Sequence, residues 1–114
     1  MTAHDRFATD CQFSILAIVL EDPALIDSTD LQAEEFIDSV CAELWQNLSA
    51  HRTNSEAVIA ETGSNELASV ARNLRANWLT APTNLQRHVR GLRRAKAVDE
   101  YAQTVRAKLG RAGR

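Results

Sequence analysis

The sequence predicts an all-α protein, a small bundle of about five to six helices closed by a long C-terminal helix. Three observations lead there. Apolar residues recur at spacings of three and four along most of the chain, and strand-like alternation never persists beyond four residues. Only Pro23 and Pro82 interrupt it, and its four glycines, at 63, 91, 110 and 113, are sparse. Alanine, the strongest helix former, is abundant, while β-branched runs are absent.

The first helix is expected from about Asp5 to Leu20. Ala8, Cys11, Ile15, Ile18 and Val19 line one face, widened by Phe7 and Leu16. Glu21-Asp22-Pro23 ends it, because a residue before proline avoids the helical region. Pro23 then opens a short turn of helix carrying Leu25 and Ile26. Asp30 is the expected cap of the next helix, with Glu34 and Glu35 favouring its positive end. Phe36, Val40, Leu44 and Leu48 follow at one per turn, flanked by Ile37, Cys41 and Trp45. This broad apolar segment is expected to be central, either continuous or broken between Asp38 and Ser39.

His51 to Thr53 reads as a connection. Asn54 or Ser55 caps a small helix through Val58 and Ile59 that stops at Gly63. Asn65 caps another, with Leu67, Val70, Leu74 and Trp78 on its face beside Ala71. Thr80-Ala81-Pro82 is the second break, and Thr83 or Asn84 restarts the chain. The last helix carries Leu85, Val89, Leu92, Ala95, Val98, Ala102, Val105 and Leu109, a seam of the coiled-coil type. Gly91 within it costs about 1 kcal/mol relative to alanine, which leaves room for close approach of another helix or is neutral. The division expected is a bundle over residues 1–80, a long basic amphipathic helix over 81–110 as hairpin or extension, and a frayed tail over 111–114.

Charge is split along the chain. Residues 1–66 carry thirteen carboxylates and two arginines, Arg6 and Arg52. Residues 67–114 carry eleven Lys or Arg and two acids, Asp99 and Glu100. The two halves have formal charges of −11 and +9, within a net −2. Either the halves neutralise each other inside one fold, or two different faces are offered to something else.

Little in the chain reads as chemistry. His4, His51 and His88 form no pair at metal-ligand spacing, and Cys11 and Cys41 sit in apolar segments as buried thiols rather than in a CxxC arrangement. The carboxylates Glu21-Asp22 and Glu34-Glu35-Asp38 read as solvated surface, since acid–base work needs one of a pair desolvated. No glycine-rich phosphate loop, Walker pattern or nucleophile motif occurs. No catalytic, metal or cofactor site is therefore expected, and the chain is read as non-enzymatic. Its longest apolar run, Ile15 to Leu20, is too short to span a bilayer and no signal peptide is visible. A cytoplasmic protein, without membrane contact, is expected.

The run Arg87-His88-Arg90-Arg93-Arg94-Lys96 is the one concentrated feature. Such a stripe suits phosphate contacts, but the chain is slightly acidic and no aromatics are interleaved for stacking, so direct nucleic-acid binding is disfavoured. It equally suits the acidic half or an acidic partner. Trp45 and Trp78 each end an apolar face, as core anchors or as anchors for a partner.

Several short motifs are similar to those of a known family. Leu20-Glu21-Asp22-Pro23, Glu35-Phe36 and Leu44-Trp45-Gln46-Asn47-Leu48 resemble the N-terminal domain of the bacterial replicative helicase and, equally, the C-terminal helicase-interacting domain of bacterial primase. Leu85 to Leu109, with Leu92-Arg93-Arg94 at its middle, resembles the basic helix that closes the primase domain. Ile37-Asp38-Ser39 stands where the helicase domain commonly has a histidine or proline step. With Met1 native, a free-standing relative is expected. The resemblance implies a protein-interaction domain of DNA replication and the primosome, with a helicase or primase as partner. It implies contacts from the helices flanking Pro82, with Trp78, Leu85, Val89 and Leu92 as apolar contacts and Arg90, Arg93 and Arg94 as polar surround. The alternatives are a self-associating helical scaffold using the last seam, a DNA-binding regulator using the basic helix, and an inhibitor mimicking the helicase-binding domain.

Overall fold

A computed structural model describes residues 2–112 of the chain. Among them there is no strand, and the fold is the all-α bundle expected. In order it comprises α1 (Ala3–Glu21), 3-10 turns at Pro23–Ser28 and Ala33–Glu35, α2 (Ser39–His51), α3 (Glu56–Thr62), α4 (Asn65–Asn77), a 3-10 turn at Pro82–Asn84, and α5 (Leu85–Ala112). No helix is long and apolar enough to cross a membrane among the described residues.

The central helix is α1, not the Phe36–Leu48 segment. Every side chain from Ser14 to Leu20 is buried, so its C-terminal half is covered on all sides. α5 runs antiparallel along it, pairing His4 with Asp99 at one end and bringing Cys11 beneath Gly91. α4 packs on α1 as well, and α2 and α3 close the remaining sides. Ile59, Leu44, Leu48 and Ala71 meet the centre from these three helices with no accessible surface.

Two predicted caps are displaced. Asp30 caps nothing; Gln32 precedes the 3-10 turn there, its backbone N–H donating to Glu35 Oε2 at 2.7 Å. Asp38 caps α2, accepting from the backbone N–H of Val40 at 2.8 Å and of Cys41 at 3.1 Å. The segment is thus broken before Ser39. Ser64, rather than Asn65, caps α4 by accepting from Leu67 N–H at 3.1 Å. At α3 the cap is Ser55, while Asn54 Nδ2 donates to the Leu20 carbonyl at 2.8 Å and satisfies the end of α1. Asp22 both ends α1 and starts the following 3-10 turn, its carboxylate accepting from Ala24 N–H.

Only the first half of α5 belongs to the core. Leu85, Val89, Leu92 and Ala95 are buried, whereas Val98 is 49 % and Leu109 65 % exposed. The continuous seam in the sequence therefore splits. Its first part packs on α1; its second begins where α1 ends, because Ala3 is level with about the hundredth residue. From Tyr101 to Ala112 the helix overhangs by about 18 Å at 1.5 Å per residue. This overhang stretches the molecule to 53 × 29 × 26 Å. Of the expected tail, 111–112 continue the α5 backbone and 113–114 lie outside the described residues.

Candidate protein-docking surface

The two flanks of α5 differ in what their charges meet. One flank faces the acidic 23–36 segment. Arg93 Nε donates to Glu35 Oε1 at 2.8 Å and Arg93 Nη2 to Asp30 Oδ1 at 2.7 Å. Lys96 Nζ donates to the Glu34 carbonyl and, at 3.3 Å, to that of Phe36. Gln86 Nε2 reaches the Ser28 carbonyl at 2.9 Å. Asp30, misread as a cap, is thus an ion-pair partner. Hydrogen bonding and the charge of Arg93 hold its carboxyl below the usual aspartate range. Burial pushes Glu35 up, but hydrogen bonds from Arg93 and the Gln32 backbone, with the Arg93 charge, outweigh it and leave Glu35 lowered.

The other flank has no such partners. Arg87, Arg90 and Arg94 are exposed and make no ion pair among the described residues. They line a groove of about 460 Å³ between α1 and α5, together with His88, Gly91, Phe7, Asp10 and Cys11. The groove exists because the helices approach closely at Gly91, where a Cβ would lie 2.6 Å from Cys11 Sγ and 3.1 Å from Phe7 Cζ. Phe7 stays 45 % exposed, its ring held at the groove rather than in the core. His88 Nε2 lies 3.3 Å from Thr80 Oγ1. Burial, then the nearby Arg87, lowers its pKa, against a small opposing pull from Asp10.

The residues expected to contact a partner are divided by this arrangement. Leu85, Val89 and Leu92 are 4 %, 1 % and 0 % exposed, spent on the α1 contact, so they leave no apolar centre on the surface of the folded chain. Arg93 is engaged within the fold. Arg90 and Arg94 remain available. Trp78 lies just beyond α4 and is half-buried, edge-on to Phe13 at 5.3 Å, with Nε1 donating to Ser14 Oγ at 3.0 Å. Next to it, Leu79 is 93 % exposed. Trp45 is a core anchor, stacked at a tilt on Phe36 and donating to the Leu31 carbonyl at 3.3 Å.

Two features were not expected from the sequence. Phe7 and Asp10 share the groove with the arginines; their spacing of three puts them on one face of α1, but only the fold shows which helix they meet. Gln12 is buried, and its Oε1 accepts from the backbone N–H of Ile37 at 3.0 Å and Asp38 at 2.8 Å. The signal for Gln12 was present, because Ala8, Gln12, Ile15 and Val19 fall on one stripe of α1.

Among the described residues the buried polar side chains are Gln12, Ser14 and Asn47, none of them titratable. Asn47 Nδ2 donates to Thr62 Oγ1, and its Oδ1 finds no partner among the described residues. Burial pushes the Cys41 thiol up to about 12, with Asp38 adding to the effect, so it stays protonated at neutral pH. Cys11 is also raised, by burial first and Asp10 second. No group of three or more His, Cys, Asp or Glu is placed to hold a metal ion among the described residues. Compared with protein-family models, with curated proteins and with solved structures, the chain matches none.

Proposed function

We propose that the chain is a non-enzymatic protein-interaction domain of the replication machinery, presenting the outer flank of α5 to a replicative helicase or primase. One observation carries the interaction part. Within a single helix, Arg93 and Lys96 are engaged by the fold, while Arg87, Arg90 and Arg94 stand unpaired beside an exposed aromatic ring. Unpaired charges of one sign around apolar surface suit encounter with and orientation of a protein partner. The choice of partner rests on the motif resemblance.

The experiment is co-sedimentation or pull-down with purified bacterial replicative helicase and, separately, primase. Retention of one, reduced by the double variant R90E/R94E with an unchanged circular dichroism melt, supports the reading. Retention of neither overturns the choice of partner.

A second reading is self-association through the overhang of α5. Tyr101 and Leu109 are 72 % and 65 % exposed on the part of the helix that has run past its neighbour, and Val98, just before it, is 49 % exposed. Light scattering decides it: a concentration-dependent dimer abolished by V98E/L109E supports it, and a monomer throughout removes it.

A further inference from the structure

We propose that the groove between α1 and α5 takes an acidic amphipathic helix, with its carboxylates on Arg87, Arg90 and Arg94 and one apolar side chain against Phe7. This rests on the reading of the chain as a protein-interaction domain and specifies the chemistry of what it binds. Spacing supplies the first argument. The three arginines sit at i, i+3 and i+7 along about 10 Å of α5. A second helix in the groove presents Glu or Asp at the same period, so one face of it meets all three guanidinium groups. Composition supplies the second. Phe7 is half-exposed at the lining of the groove, so a purely ionic ligand leaves its ring uncovered.

The groove also disfavours a phosphate backbone. Asp10 lines it with the arginines. A nucleic acid brings a charge at every nucleotide, against Asp10 as well as the arginines. A peptide helix can place acids opposite the arginines and leave a neutral or basic residue opposite Asp10.

The test uses fluorescence anisotropy on the full chain with four labelled probes. They are a designed helix of Glu and Leu in heptads, its Lys and Leu counterpart, polyglutamate of equal length, and a single-stranded oligonucleotide. Saturable binding of the Glu/Leu helix, tighter than to polyglutamate and weakened about tenfold or more by R90E/R94E, is the expected result. Phe7→Ser should weaken the Glu/Leu helix and leave polyglutamate unchanged. Because all three replaced side chains are exposed, the variants retain the fold, and their melting curves check this. Equal affinity for polyglutamate, preference for the oligonucleotide, or indifference to R90E/R94E overturns the proposal. The two readings fail separately. A helicase or primase complex weakened by R90E/R94E in a chain that does not bind the Glu/Leu helix sinks the groove alone, and a Glu/Leu helix that binds while helicase and primase do not sinks the partner alone.

Discussion

Gln12 is the residue on which the 36–38 turn depends. Its amide oxygen accepts from two consecutive backbone N–H groups, those of Ile37 and Asp38, from within a buried position. Asp38 in turn caps α2. Gln12→Leu removes the acceptor without changing much volume, leaving both donors unpaired. We expect a loss of about 2 kcal/mol in urea denaturation; a loss under about 0.5 kcal/mol contradicts this role. Gly91 makes a complementary case. Alanine there gains about 1 kcal/mol of helix propensity, yet its Cβ would lie 2.6 Å from Cys11 Sγ. Gly91→Ala is expected to lower stability by about 1 kcal/mol or more, and Cys11→Ala in the same chain to recover part of it. Urea denaturation of the two single variants and the double gives the coupling, and additive losses would place the clash elsewhere. Gly91 was legible in the sequence as a candidate point of close approach. Gln12 was legible only as a polar residue on an apolar stripe; the backbone donors it serves come from the 36–38 turn, which spacing along α1 does not place.

At the scale of elements, α5 has two sections with different fates. The section holding Arg93 is tied to the acidic segment, and this tie depends on pH. Both Asp30 and Glu35 are lowered in the folded state. The stability they add is therefore complete above the unfolded carboxyl values, about 3.9 and 4.3, and is lost as pH falls through the depressed ones. Arg93→Gln should cost up to about 1 kcal/mol at pH 7, and the gap to the unaltered chain should close as pH drops below about 4. Denaturation at pH 7, 5 and 3 reads it, and a gap constant over that range contradicts the ion pairs. The overhang is the second section. No residue beyond Ala95 in α5 is buried among the described residues, so deleting residues 101–114 should change stability by less than about 0.5 kcal/mol. Hydrogen exchange should show those amides opening long before the section from Leu85 to Ala95. The helices themselves were readable from spacing and proline. Their caps were readable only to within one or a few residues, since Ser64 and Asn65 are both good cap formers and only the hydrogen bond chooses. The seam was readable as periodicity, but the point where α1 ends beside it is a tertiary fact.

Over the whole molecule, the charge split has two consequences rather than one. Part of it is spent inside the fold, where Arg93 meets Asp30 and Glu35 and Arg72 meets Glu56 at 2.9 Å; Arg52, within the acidic half itself, meets Asp27 at 2.6 Å. Arg52 does so from a left-handed backbone, φ 50°, at the end of α2. These pairs are exposed or only partly buried, and surface pairs of this kind are worth about 0–1 kcal/mol, so they orient the segments more than they hold them. The unspent part is concentrated on the outer flank of α5, on a body whose acidic half repels anions that approach from elsewhere. That asymmetry was visible in the sequence as a total, and the spacing of 87, 90 and 94 places them on one side of the helix with 93 and 96 nearby; which of the two groups the acidic segment engages is a tertiary fact. The most direct test is titration calorimetry of the full chain against purified replicative helicase and against primase, with R90E/R94E as the matched variant. A saturable complex with one of them, weakened about tenfold or more in the variant, is the result expected. Heat of dilution alone with both proteins, or a complex of equal affinity in the variant, would contradict the outer flank of α5 as the docking surface.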